Sequence, residues 1–353
     1  MQKSDLAYNL PDGRIKCLAC ARGCILSEGQ VGFCGVRKVI EGRLQLLVYG
    51  IVDAVHMDPI EKKPVMHYRP GSRIFSIGTT GCSWMCMYCQ NFDLSQRRKV
   101  EGQSITPQEV VKAAMEYNAD GIAFTYNEPT IFMEFARDVG IEAKKKGLFN
   151  VFVSNGYATP ESVKMMGDFL DSITVDFKGN GERNFLRKYA GVPDPKPIFN
   201  TLEQIRDLGT VHIEITDLVV PEVGDNVDSA RALVRWIYRE LGRDTPVHFL
   251  RFHPDYKMNW LRATPISTLE EHWKIAKEEG LNYVYVGNVH GHKYENTYCP
   301  KCGTAVIERK GFDIVSWNLD ESNRCLNCGN QIPIVGGLNR ESLKISRFHE
   351  VNL

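Results

Sequence analysis

The eleven cysteines of this 353-residue chain constrain it more than any other feature, because they fall into three tight groups. Cys17, Cys20, Cys24 and Cys34 form the first, Cys82, Cys86 and Cys89 the second, and Cys299, Cys302, Cys325 and Cys328 the third. No cysteine is left over, and clustering of this kind in a reducing compartment argues for metal ligation over disulfides. The two groups of four can close a metal centre with protein sulfur. The group of three leaves a coordination position open, and an open position is where a substrate or cofactor binds.

Between these groups the chain has the pattern of repeated βα units around a parallel sheet or barrel. Seven apolar or alternating runs rich in Val, Ile, Phe and Tyr predict strands: Arg73 to Ile77, Gly121 to Thr125, Asn150 to Ser154, Ser172 to Asp176, Val211 to Leu218, Val247 to Phe252 and Tyr283 to Val286. Helix starts are marked by Thr106-Pro107-Gln108-Glu109, a capping box with proline at the first helical position, and by Ser267 with Glu270. Gly147, Gly209, Gly242 and Gly280 follow amphipathic runs as left-handed helix caps do. The expected fold is α/β, a full or partial (β/α) barrel with functional residues at the C-terminal ends of its strands, with an open doubly wound sheet as the competing arrangement. The expected organisation is an N-terminal four-cysteine module and lead-in over 1–70, a barrel core over 71–292 and a zinc-ribbon-like four-cysteine module over 293–353.

A hydrophobic content of 43% suffices for one large core with small appendages. Lys+Arg and Asp+Glu both total 43, so no global field favours nucleic acid or an anionic membrane. The first residues lack the apolar core of a signal peptide, and nowhere do about 18 apolar residues run together as a membrane span needs. A cytoplasmic location is the expectation, with no membrane association and no nucleic-acid partner.

Gly81-Cys82-Ser83-Trp84-Met85-Cys86-Met87-Tyr88-Cys89 follows the first predicted strand. Three thiolates can hold only three irons of a [4Fe–4S] cube, which leaves the fourth iron free to chelate an amino acid. Read as a bare spacing, the same cysteines could complete a zinc site with a distant histidine. Near the C-terminus, Cys299-Pro300-Lys301-Cys302-Gly303 and Cys325-Leu326-Asn327-Cys328-Gly329 are two knuckles suited to tetrahedral zinc, although a rubredoxin-type iron fits the same pattern. Cys17, Cys20, Cys24 and Cys34 fit zinc or an auxiliary iron–sulfur cluster, and spacing alone does not separate the two.

The cysteine triad with an aromatic residue, Tyr88, before its last member resembles the signature of the radical S-adenosylmethionine (SAM) superfamily. Phe124-Thr125-Tyr126-Asn127-Glu128-Pro129-Thr130, Val153-Ser154-Asn155-Gly156-Tyr157, Val175-Asp176-Phe177-Lys178 and Phe249-Leu250-Arg251-Phe252-His253-Pro254 narrow the resemblance to the branch with pyruvate formate-lyase-activating enzymes. With both flanking cysteine modules, the whole chain looks like the AmmeMemoRadiSam system radical enzymes. The resemblance implies that Cys82, Cys86 and Cys89 ligate a [4Fe–4S] cluster and that Glu128 meets the methionine ammonium of SAM. It also implies that Ser154 and Asn155 take the ribose hydroxyls, and that Asp176, Lys178 and His253 lie near the cofactor and substrate. Tyr126-Asn127 stand where the family has Gly-Gly before the acid.

Each of these residues also has a structural reading of its own. Glu128-Pro129 can open a helix, Asn155-Gly156 can be a turn, Asp176 with Lys178 can be a surface ion pair, and His253 can be a satisfied structural histidine. By the resemblance, the function is reductive cleavage of SAM to a 5′-deoxyadenosyl radical that abstracts hydrogen from a small molecule or a macromolecule. The alternatives are a glycyl-radical-enzyme activase acting on a protein glycine and a non-catalytic iron–sulfur electron carrier. The implied partners are a reductant such as flavodoxin or ferredoxin and, through the family association, Memo-like and AMMECR-like proteins.

Overall fold

The computed structural model describes residues 2–97, 99–341 and 349–351. Its centre is a nine-stranded sheet. In chain order the strands are β1 (Ala54–Pro59), β2 (Arg73–Gly78), β3 (Gly121–Phe124), β4 (Phe149–Ser154), β5 (Ser172–Asp176), β6 (His212–Val219), β7 (Val247–Arg251), β8 (Val284–Gly287) and β9 (His349–Glu350). Strands β2 to β8 are parallel neighbours in sequence order, while β1 runs antiparallel to β2 and β9 antiparallel to β1. The sheet is therefore an open, partial barrel with β8 at one edge and β9 at the other. Lys62 and Lys63 after β1 and Asn288 after β8 nevertheless line one cavity, so the sheet curls until its two sides face each other.

All seven expected strands are present, with ends within a residue of their predicted bounds. Strand β1 was not foreseen. Its run Ala-Val-His-Met-Asp-Pro breaks alternation and ends in proline, so only its pairing along β2 makes it a strand. It extends the sheet to the N-terminal side of residue 71, the expected start of the core.

Helices α1 (Pro107–Glu116), α2 (Met133–Lys145), α3 (Pro160–Met166), α4 (Lys196–Leu208), α5 (Val227–Glu240) and α6 (Ile266–Glu278) alternate with the parallel strands. The capping box of α1 forms: Glu109 N donates to Thr106 Oγ1 at 3.3 Å and Thr106 N to Glu109 Oε2 at 2.8 Å. The one expected at Ser267 does not. Helix α6 begins at Ile266 after Pro265, which places Ser267 inside the first turn. Gly147, Gly209, Gly242 and Gly280 all take positive φ, as cap glycines do.

One hydrophobic core runs from Leu6 to Val289, so the N-terminal cysteine segment and the barrel share it. The C-terminal module has a second core, in which Val306, Ile307, Ile332 and Ile334 pack on Tyr283, Tyr285 and Met66. A buried polar chain fixes that module to the N-terminal end of the sheet. Glu214 on β6 accepts the backbone N–H of His67 at 2.7 Å and His248 Nε2 at 2.7 Å. His67 Nε2 then meets the Tyr285 hydroxyl at 2.7 Å, and that hydroxyl meets Thr297 Oγ1 at 2.8 Å. The module thus docks at the end of the barrel away from the strand tips.

Candidate active site

The C-terminal ends of the parallel strands surround a cavity of about 400 Å³. Cys82, Cys86, Tyr88, Cys89, Glu128, Ser154, Asn155, Asp176, Lys178 and His253 all line it, so every residue expected at the central site from sequence meets there. They arrive on separate loops. The cysteines follow β2, Glu128 follows β3, Ser154 and Asn155 end β4, Asp176 and Lys178 end β5, and His253 follows β7.

The cysteine loop has no regular structure and is held by its neighbours. Asn127 Nδ2 donates to the Gly81 carbonyl at 2.9 Å, and Asn91 Nδ2 donates to the Tyr126 carbonyl at 2.9 Å. Arg22 Nε donates to the Ser83 carbonyl at 2.8 Å, and Met85 N and Met87 N donate to the carbonyls of Ala190 and Tyr189. Tyr88 is buried with its ring stacked on Phe185, centroids 5.7 Å apart. Burial pushes the Cys86 thiol up to about 12, with Lys178 partly opposing it, and burial likewise raises Cys82. Three thiolates are sustained in such a place only if cationic charge joins them, as the irons of a cluster do.

Glu128 is buried at 1% exposure and its carboxylate is organised by three donors. Oε1 accepts from Thr130 N at 3.1 Å and from the Ser154 hydroxyl at 2.8 Å, and Oε2 accepts from Asn155 N at 2.7 Å. Burial raises its pKa while those donors pull it back. A carboxylate has about four lone-pair positions, so one remains for a ligand cation. Ser154 and Asn155 already have work within the protein: Ser154 braces Glu128, and Asn155 Nδ2 donates to Ser83 Oγ at 3.1 Å.

Asp176 and Lys178 form an ion pair at 2.8 Å, and the Thr216 hydroxyl donates to the other Asp176 oxygen. Burial would lower the Lys178 pKa, but Asp176 and the nearby Cys86 thiol outweigh it and keep the ammonium charged. His253 is exposed at the rim.

Sequence reasoning missed a second charged wall. Asp58 on β1 takes Lys62 Nζ at 2.7 Å, Lys63 Nζ at 2.6 Å and the Tyr126 hydroxyl at 2.8 Å. Lys63 is 3% exposed, and burial, opposed by Asp58, brings its pKa down to about 8. The signal available was Tyr126-Asn127 in place of Gly-Gly. Tyr126 keeps the backbone that glycine would supply, with φ +70°, and Lys178 and Asn288, both at +61°, do the same on the same cavity. Such conformations cost about 1–3 kcal/mol each and persist where packing imposes them.

Of the flanking groups, Cys299, Cys302, Cys325 and Cys328 have sulfurs all within 4.8 Å of one another. Cys17, Cys20 and Cys34 are buried and Cys24 half-buried, against the loop that carries the triad. No helix among the described residues is long and apolar enough to cross a membrane.

A profile of the radical SAM superfamily matches residues 76–237. An uncharacterized protein of Methanocaldococcus jannaschii is 42% identical over 338 residues, covering 95% of this chain and 100% of that one. Pyruvate formate-lyase 1-activating enzyme of Escherichia coli is 24% identical over 202 residues, covering 54% of this chain and 78% of that one. Among solved structures, Streptococcus suis SuiB bound to precursor peptide SuiA aligns over 65% of this chain and 52% of that one, with 12% identity and a TM-score of 0.50, a likeness of fold alone. The matched segment holds the cysteine triad, Glu128 and the strand ends that carry Ser154, Asn155, Asp176 and Lys178, and the chain belongs to the radical SAM superfamily.

Proposed function

We propose that the protein is an enzyme that binds a [4Fe–4S] cluster through Cys82, Cys86 and Cys89 and uses it to cleave SAM for hydrogen abstraction from a substrate. The observation that carries this reading is the convergence of three buried or half-buried thiols and the preorganised carboxylate of Glu128 on one cavity of about 400 Å³. When bound, the reduced cluster supplies the electron that splits SAM into methionine and a 5′-deoxyadenosyl radical. The protein's residues bind, orient and exclude water.

Glu128 receives the methionine ammonium at its remaining lone pair, as a charge-assisted hydrogen bond in a dry site. Ser154 and Asn155 hold that carboxylate and the triad loop in register, and reach the ribose from the same strand end. Asp176 with Lys178 on one wall and Lys63 with Asp58 and Tyr126 on the other present fixed charges to the substrate. The volume is in the range of small-molecule sites, about 300–1,000 Å³, and once the cluster and SAM take their share it leaves room only for a small substrate or a single residue presented by a partner.

The similarity to pyruvate formate-lyase 1-activating enzyme supports a second reading, in which that single residue is a glycine of a partner protein. In either case a flavodoxin- or ferredoxin-type protein serves as reductant, and Memo-like and AMMECR-like proteins are candidate partners. The C-terminal cysteines suit zinc: sulfur pairs at 3.6 and 3.7 Å match a tetrahedral ion with bonds of about 2.3 Å.

The test is electron paramagnetic resonance of the anaerobically reconstituted, dithionite-reduced protein with and without SAM. A signal that changes on adding SAM supports ligation at the open iron. A signal indifferent to SAM, in protein with a full cluster, leaves an electron carrier as the better description.

A further inference from the structure

The loop that carries the cysteine triad has two sides, and only one of them faces the cavity. Trp84, Cys86 and Tyr88 line the cavity, whereas Met85 and Met87, which stand between them, do not. Met85 is 44% exposed although it is bonded directly to Cys86, so on its outer side the loop brings protein surface to within one residue of a cysteine of the triad. Phe92, 39% exposed, stacks on Tyr256 with ring centroids 4.6 Å apart. Exposed methionine and aromatic side chains of this kind are common where a partner is received.

Two segments frame this outer side, and both are tied to the loop backbone. In the first, a π-turn over Leu186–Ala190 presents the carbonyls of Tyr189 and Ala190 to Met87 N at 2.8 Å and Met85 N at 2.9 Å. Such turns are rare and often mark functional positions. Arg22 clasps the same junction, donating to the Ser83 carbonyl at 2.8 Å and the Gly191 carbonyl at 2.6 Å. In the second, Lys257 N donates to the Met87 carbonyl at 2.8 Å. Arg187, Lys188, Tyr256 and Lys257 line no part of the cavity either.

Both segments are cationic, in a chain whose charges balance at 43 and 43. Residues 182–196 hold Arg183, Arg187, Lys188 and Lys196 against Glu182 and Asp194, and Asp194 is taken by Arg183 at 2.9 Å. Residues 253–262 hold Lys257 and Arg262 against Asp255, while the loop from Gly81 to Phe92 carries no charge. Among the described residues, Arg187, Lys188 and Lys257 are exposed and form no ion pair. The ammonium groups of Lys188 and Lys257 instead lie 5.0 and 5.1 Å from the ring centroids of Tyr189 and Tyr256. An uncharged centre ringed by unpaired cations complements an acidic partner. From this side the loop stands between that partner and the cavity, so the partner presents nothing to the substrate position. An electron, by contrast, has only Met85 and Cys86 to cross.

We infer that this face, centred on Met85 and ringed by Arg187, Lys188 and Lys257, docks an acidic one-electron carrier of the flavodoxin or ferredoxin type. The reduced carrier is oxidised by one electron, and the cluster at Cys82, Cys86 and Cys89 is reduced by the same electron. The docking face rests on that part of the proposed function, the cluster at the triad, and not on SAM cleavage.

The experiment mixes the anaerobically reconstituted full chain with reduced flavodoxin, in the absence of SAM, and follows reduction of the cluster by stopped-flow absorbance. A Lys188→Glu, Lys257→Glu double variant is compared with the wild type and with Lys301→Glu, an exposed charge on the C-terminal module. At low salt the double variant is expected to be reduced about tenfold or more slowly, and the rates to converge as salt screens the charges. Lys301→Glu should match the wild type, and dithionite, which needs no docking face, should reduce all three to the same extent. A flavodoxin-driven rate equal in the double variant and the wild type overturns the docking face. So does an equal loss in Lys301→Glu, or a double variant that has lost iron or that dithionite also fails to reduce. Rapid, salt-dependent reduction by flavodoxin with no 5′-deoxyadenosine once SAM is added leaves the docking face standing while SAM cleavage fails. A chain that takes up no cluster at the triad overturns both.

Discussion

The carbonyl oxygen of Cys34 lies where a β-carbon on Gly81 would have to go, at a separation of 2.3 Å. Gly81 also takes φ +90°, a conformation open to glycine and strained for other residues. Gly81→Ala is expected to lose about 3 kcal/mol or more of stability and to displace the triad loop. Thermal melting and iron content after reconstitution measure both effects. A variant with native melting and full iron would show that the loop and the N-terminal segment are not packed as described.

Glu128→Gln keeps the shape of the side chain and removes the charge that faces the cavity. A hydrogen bond to a charged group is worth about 1.5–3 kcal/mol, so SAM affinity should fall by about 10- to 150-fold. Ser154→Ala, which loses one donor to Glu128 at 2.8 Å, should weaken binding less. Calorimetry on the reconstituted protein tests the order of the two.

Arg37 and Glu134 form an ion pair at 2.5 Å that is fully buried, with the Ser4 hydroxyl on the same carboxylate. It fastens the N-terminal segment to α2. Burial alone would raise the Glu134 pKa, but Arg37 outweighs it and brings the group from 4.5 down to about 2. A depressed carboxylate stabilises the fold above its unfolded pKa and loses that contribution as pH falls through the folded value. Stability should therefore drop between about pH 4.5 and about pH 2. Arg37→Met, which strands a buried charge, should cost about 3–5 kcal/mol at neutral pH and flatten that acid limb. Denaturant melts across the range measure it.

Cys302→Ala should lower the melting temperature and abolish bound zinc without changing SAM binding, because the ribbon docks at the far end of the sheet through Tyr285 and Thr297. Metal analysis and a melting curve decide this. Unchanged melting would remove the structural role assigned to the ribbon.

The parallel strands were legible because they are short apolar or alternating runs, several of them ended by glycine or a polar residue, and the site was legible because its residues stand at strand ends. Strand β1 was hidden by His56, Asp58 and Pro59, which suit a strand only once β2 is beside it. The same blindness concealed the Asp58, Lys63 and Tyr126 cluster, which forms across 68 positions of sequence between Asp58 and Tyr126. Asn127 is instructive too. It breaks the family pattern in sequence, and in the fold it holds the Gly81 carbonyl.

The central claim is tested most directly by anaerobic reconstitution with iron and sulfide, reduction with dithionite, addition of SAM and chromatographic assay for 5′-deoxyadenosine, with Cys86→Ala treated in parallel. The account predicts 5′-deoxyadenosine from the wild-type protein and none from the variant. Cleavage retained in Cys86→Ala would contradict it.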